Sequence, residues 1–181
     1  SFIEVSPNPI QITRTERQNS TTELNIKNTG LVNLTANISL TGEGGASEVT
    51  GLWHKTSHRS FTGKKTWYYG QENLWNYDAG DTSGVLTFGP TTVPASDPNL
   101  TFHYWRQTES LDSYDVSKIR ISTNNGLNWS TLESLTHKDG VWRDHSISLA
   151  PYVGQNVMIQ FYFDTYDSWY NGYEGWYVDD I

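Results

Sequence analysis

The residues best suited to chemistry crowd the last stretch of the chain, Phe161 to Ile181, which reads FYFDTYDSWYNGYEGWYVDDI. Asp164, Asp167, Asn171 and Glu174 fall between two aromatic-rich strand patterns, and the second pattern, Trp176 to Val178, runs into the acid pair Asp179-Asp180. Carboxylate and amide oxygens bunched at strand ends suit a hard cation, which takes about six to eight oxygen ligands in flexible geometry. The alternative is an ordinary solvated acidic loop.

The aromatics divide by position. Trp105, Trp129, Trp142 and Trp176 fall in strand or hairpin patterns and read as core or hairpin covers. Trp169, Tyr170 and Tyr173, with Trp75 and Tyr77, fall in loops beside Asn and Asp. Exposed loop rings can stack on pyranose rings while neighbouring amides and carboxylates hydrogen-bond the hydroxyls, and surface loops are where binding concentrates. Trp169, Tyr170, Tyr173 and Trp75 are therefore candidate saccharide ligands.

Catalysis finds little support in the spacing. His54 and His58 stand four apart, as in the zinc helix motif, but Lys55 occupies the general-base position and the surrounding Thr, Ser and Gly do not make a helix. His54 reads instead as a hydrogen-bonded rim residue. Glu109, Asp112, Asp115, Glu174, Asp179 and Asp180 offer carboxylates for glycoside hydrolysis, but nothing in their order selects a pair across a cleft. The chain reads as a non-enzyme.

Composition narrows the class. Aromatics make up 14% of the 181 residues, with eight Trp and eleven Tyr, a mix that favours strands and turns. With no cysteine, a disulfide framework, a thiolate zinc site and a cysteine nucleophile are all excluded. A net charge of −8 argues against a nucleic-acid partner and against an anionic membrane surface. No apolar run is long enough to insert in a membrane. Sequons at Asn19, Asn33, Asn37, Asn99 and Asn128 are weak glycosylation signals in a chain this rich in Asn, Ser and Thr.

The elements that must position these groups all show a period of two. Residues 1–40 carry short strands at Ile3–Val5, Ile10–Thr13, Thr22–Lys27 and Leu31–Leu40, punctuated by Ser6-Pro7-Asn8-Pro9 and Asn28-Thr29-Gly30. This reads as a partial immunoglobulin-like segment. Residues 41–49, small and polar, read as a linker. From residue 50, strands are expected at Thr66–Tyr69, Gly84–Phe88, Leu100–Trp105, around Ile119 and Ile121, at Trp142–Leu149, Val157–Phe163 and Trp176–Val178, with Pro90–Pro98 a loop. Ser122 to Trp129 fits the structural Asp-box hairpin, with Asn124 in the Asp place and Asn125-Gly126 supplying positive φ.

The ordered combination GLWH, WYYG, YDAG, GVLTFGP, LTFHYW, SYDVSKIRISTNNGLNW, LAPYVGQNVMIQFYFDT and EGWYVDDI over residues 51–181 resembles MAM-like jelly-roll domains. Such domains accompany immune inhibitor A-type metallopeptidases and other secreted bacterial proteases. The resemblance implies an all-β jelly-roll sandwich over residues 50–181, and a further strand beyond Ile181. It also implies structural calcium, with Asp179, Asp180, Glu109, Asp115 and Asp78 as the expected ligands. The expected function is a non-catalytic, calcium-stabilised recognition domain of a secreted or cell-surface protein, in the setting of a protease. Its partner would be a protein or a cell-surface glycan. The alternative is a carbohydrate-binding module using the loop aromatics.

Overall fold

The computed structural model describes the backbone of residues 3–6 and 25–28, and residues 45–109 and 113–181 in full. The chain divides into two units, residues 1–40 and 41–181. In the first, β1 (Ile3–Ser6) pairs antiparallel with β2 (Asn25–Asn28). The strands expected at Ile10–Thr13 and Leu31–Leu40 lie outside the described residues, as does Asp112.

The second unit is a β-sandwich. Its strands are β3 (Ala46–Val49), β4 (Trp53–Thr56), β5 (Thr66–Tyr69), β6 (Ser83–Thr92), β7 (Asn99–Gln107) and β8 (Val116–Ser122), then β9 (Ser130–Ser134), β10 (Arg143–Ser148), β11 (Asn156–Asp164) and β12 (Gly175–Asp179). Sheet I has the order β10-β7-β12-β5-β4 and sheet II the order β3-β6-β11-β8-β9, and every pairing is antiparallel. Within them, β5-β12-β7-β10 faces β6-β11-β8-β9, the interleaved order of an eight-stranded jelly roll, with β4 and β3 added at edges. The only helical piece among the described residues is a short 3₁₀ turn, Ala150–Tyr152.

Alternation explains the core. Ile159, Phe161 and Phe163 of β11 point inward and meet Phe102, Tyr69 and Trp176 from sheet I. Phe102 and Phe161 pack edge-to-face at 5.0 Å, a geometry that adds about 0.5–1.5 kcal/mol beyond area burial. β12 departs from alternation, since all five of its residues are buried. Trp176 and Val178 enter the core, while Tyr177 lies on the opposite face of sheet I in a second cluster with Tyr68 and Trp105. Something must cover that outer face.

Three expectations are corrected. Ala46–Val49, read as linker, forms edge strand β3 against β6; the ladder with β6, rather than burial of its own largely exposed side chains, holds it. β6 continues past Pro90 to Thr92, into the expected loop. Pro90 is tolerated because the β6–β11 register slips between Val157 and Ile159, so the ladder there asks for no donor. β4 and β9 were not anticipated as strands; both are sheet edges, and STLES lacks the apolar alternation of an interior strand. The Asp-box hairpin forms as expected. Ser122 Oγ accepts from the Asn124 and Gly126 amides at 3.3 and 2.9 Å, and Asn125 and Gly126 take φ of 55° and 84°.

Candidate functional site

One end of the sandwich is built from the loops that follow β5, β7 and β11. The 165–174 loop begins with two side-chain-closed turns: Asp164 Oδ1 accepts the Tyr166 amide at 3.0 Å and Asp167 Oδ1 accepts the Trp169 amide at 2.8 Å. Tyr166 and Tyr170 adopt positive φ of 58°. Asn171 ties the loop down, its Nδ2 donating to the carbonyls of Gly80 at 3.0 Å and Asp167 at 3.1 Å. Thr165 exchanges backbone and side-chain bonds with Thr82, and the Tyr77 amide donates to the Tyr173 carbonyl at 3.3 Å. The polar residues are therefore spent inward, and the aromatics are left outside. Trp169 is 71% exposed and Tyr170 75%, with Tyr173 and Tyr166 also exposed. Trp169, Tyr170 and Tyr173 are the loop aromatics expected to be exposed, and Tyr166, which was not among them, is exposed in the same DTYDSWYNGY run.

Trp75 is not part of that platform. It stands at φ 52° on the 70–82 loop, half-buried against Tyr68, and one face is stacked on the His58 ring at 3.7 Å and 14°. It belongs to the outer face of sheet I, where Tyr68 and Tyr177 stack at 4.3 Å and Trp105 meets Tyr177 edge-on at 5.4 Å. The 57–65 segment lies across this face. Its Arg59 guanidinium sits 4.2 Å from the Trp105 ring centroid and makes three bonds of 2.9–3.1 Å to the Glu174 carboxylate. Phe61 stacks on His103 at 3.7 Å. Trp142 is partly buried at the edge of the same cluster and Trp129 lies beside Gly126 at the hairpin, while Trp176 is fully in the core.

The expected calcium ligands separate into groups. Asp179 ends β12, Asp180 follows it, and both hold the 57–65 segment. Asp179 Oδ2 accepts the Phe61 and Thr62 amides at 2.8 and 3.3 Å, and Asp180 Oδ1 accepts Thr62 Oγ1 at 2.6 Å. Glu109 and Asp115 lie past the other end, because Gly175 of β12 pairs with Gln107 while Asp179 pairs with His103. Four strand residues separate those registers, roughly 13 Å, so one ion cannot take both pairs. Asp78 is exposed on the 70–82 loop.

Asp115 is 1% exposed, and Oδ2 accepts the Tyr77 hydroxyl and, at 3.2 Å, the Glu109 amide. Burial lifts its carboxyl above the usual range, only partly opposed by the Tyr77 bond, and the buried Tyr77 hydroxyl is pushed up as well. Glu109 is raised by burial and then by Asp115 and Asp167. Asp115 Oδ1, Thr108 Oγ1 and Asn171 Oδ1 are buried with no hydrogen-bond partner among the described residues. Such hard oxygens fit a calcium ion chemically. No three His, Asp or Glu side chains among the described residues gather closely enough to hold a metal by themselves, so amide, hydroxyl or backbone oxygens would have to complete a shell.

His54 lies on β4, its ring nitrogens 2.8 Å from the Leu52 carbonyl and 2.8 Å from Glu72 Oε2. His58 is beyond the strand end, stacked on Trp75, so the two do not share a helix face.

No protein-family model matches the chain. It is 30% identical over 114 residues to Bacillopeptidase F of Bacillus subtilis (strain 168), a match covering 62% of this chain and 8% of that protein. Among solved structures, it is similar to one from a study of carbohydrate-binding modules of the β-sandwich superfamily, with TM-score 0.45, 19% identity, and 76% and 56% of the two chains covered. It is also similar to TmCBM61 in complex with β-1,4-galactotriose, with TM-score 0.46, 15% identity, and coverage of 74% and 83%. A third likeness is to the C-terminal family 22 carbohydrate-binding module of Clostridium thermocellum Xyn10B, with TM-score 0.41, 10% identity, and coverage of 76% and 85%.

Proposed function

We propose that this chain is a non-catalytic saccharide-recognition module of a secreted protein. Its binding platform would be Trp169, Tyr170 and Tyr173, joined by Tyr166. The observation that carries the reading is that Trp169 and Tyr170 stand 71% and 75% exposed on a loop whose Asp167 and Asn171 side chains are committed to backbone groups of that loop and of the 70–82 loop. Exposing two large rings costs hydration free energy, and a pinned loop loses little further entropy when a ring-shaped ligand stacks on it. Partial similarity to Bacillopeptidase F supports an accessory place beside a peptidase. The test is Trp fluorescence and calorimetry against cellohexaose, xylohexaose and β-1,4-galactotriose. Saturable binding lost in Trp169→Ala supports the reading, and no response to any glycan, with binding to a protein partner instead, sinks it.

A structural calcium is part of the proposal, at the Glu109–Asp115 end of sheet I. The unpartnered buried oxygens of Asp115, Thr108 and Asn171 favour that end, whereas Asp179 and Asp180 already serve the 57–65 segment. When bound, the ion would supply charge neutralisation for a carboxylate that burial otherwise disfavours.

A further inference from the structure

The 57–65 segment occupies the outer face of sheet I in a particular manner. It sets flat groups on successive rings: the His58 imidazole on Trp75 at 3.7 Å, the Arg59 guanidinium over Trp105 at 4.2 Å, and the Phe61 ring on His103 at 3.7 Å. Beneath it Tyr68, Trp105 and Tyr177 are buried, although they lie on the side of the sheet away from the core. The segment itself is largely exposed and is fastened at two points, His58 and Arg59 to the Glu174 carboxylate, and the Phe61 and Thr62 amides with the Thr62 hydroxyl to Asp179 and Asp180. A sheet face that needed only to be soluble would carry polar side chains there. This one carries stacked aromatics covered by residues 57–65.

We propose that the outer face of sheet I is a second saccharide-binding surface, held closed by the 57–65 strap, whose His58, Arg59 and Phe61 occupy the stacking positions that sugar rings would take. The inference rests on the saccharide reading above and extends it. Glu174 joins the two surfaces, because it follows Tyr173 of the exposed platform and clamps Arg59 of the strap. A short glycan would be satisfied by Trp169 and Tyr170. A longer one would have to displace the strap, so its apparent affinity in the native chain would be lowered by the small fraction of open molecules.

The experiment compares the native chain with Arg59→Ala/Phe61→Ala, and with Glu174→Gln as a second, milder release of the strap. Hydrogen exchange of the Phe61 and Thr62 amides reads opening without any glycan. Binding of β-1,4-galactotriose and of cellohexaose or xylohexaose reads the surfaces. The expected result is amide exchange faster by about tenfold or more, trisaccharide affinity within about twofold of native, and a gain of about tenfold for a hexasaccharide. Faster amide exchange with no gain for either hexasaccharide overturns the proposal while leaving the loop platform standing. Unchanged amide protection in both variants also overturns it, since the strap is then not held by these contacts. Absence of glycan binding in every form overturns the saccharide reading itself, and this inference with it.

Discussion

Trp169 and Asp115 represent opposite fates for residues that stood out equally in the sequence. Trp169 is exposed because its own amide is capped by Asp167 and its neighbour Asn171 is anchored beneath it. Trp169→Ala should therefore lower glycan affinity by about 10–100-fold, measured by calorimetry, while leaving the melting temperature within a degree or two. Asp115 is buried against Tyr77, and desolvation raises its pKa. The sign follows. A raised folded pKa means the fold binds the proton more tightly than the unfolded chain. The associated stability is fully present below the unfolded pKa of about 3.9 and is lost as pH climbs through the higher folded value. In EDTA, native protein should lose stability across that interval, and Asp115→Asn should flatten the slope. Denaturant midpoints taken from pH 3.5 to 7 check this; parallel curves for the two proteins would remove the buried carboxylate from the account.

At the scale of elements, β12 is the strand on which sheet I depends. It lies between β7 and β5, and both of its faces are buried. Its entry residue, Gly175, has φ 106°, and a Cβ there would lie 2.3 Å from the Tyr69 carbonyl oxygen. Both facts demand glycine, since the backbone cannot yield without breaking the β5 pairing. Gly175→Ala should destabilise by about 2–4 kcal/mol, whereas Gly172→Ala, with open space around it, should cost much less. Urea titration of the two variants separates them. The Gly172 change also lies within the aromatic loop, so unchanged stability would make it a clean probe of glycan affinity.

For the whole molecule, the unit of residues 41–181 has its own core packed between its own two sheets, which predicts that it melts as one cooperative transition when produced without residues 1–40. Calcium, if held at the Asp115 end, should raise that transition by several degrees over EDTA, because a ligand bound only by the folded state stabilises it. Asp115→Ala should abolish the calcium increment and Asp180→Ala should preserve it, since the two lie beyond opposite ends of β12. Calorimetric melts with and without calcium distinguish this from an increment that follows Asp180 instead.

Alternating patterns such as IQFYFD and LTFHYW determined the all-β class and most strand positions, because a period of two commits one face to the core whatever the strand's partners. The Asp-box hairpin and the exposed rings of Trp169 and Tyr170 were legible for a similar reason: turns closed by Ser, Asn and Asp side chains are local chemistry. Only the tertiary structure decided what depends on distant pairing. Edge strands β3 and β9 exist through their neighbours' free backbone groups, not through their own apolar content. Asp179 and Glu109 look interchangeable along the chain, yet strand register places Asp179 at the last position of β12 and Glu109 past its opposite end. Trp75 reads as a loop aromatic, but residues 57–65 fold over it and its neighbours. That cover depends on Arg59 reaching Glu174, 115 positions away, a meeting that no local pattern encodes.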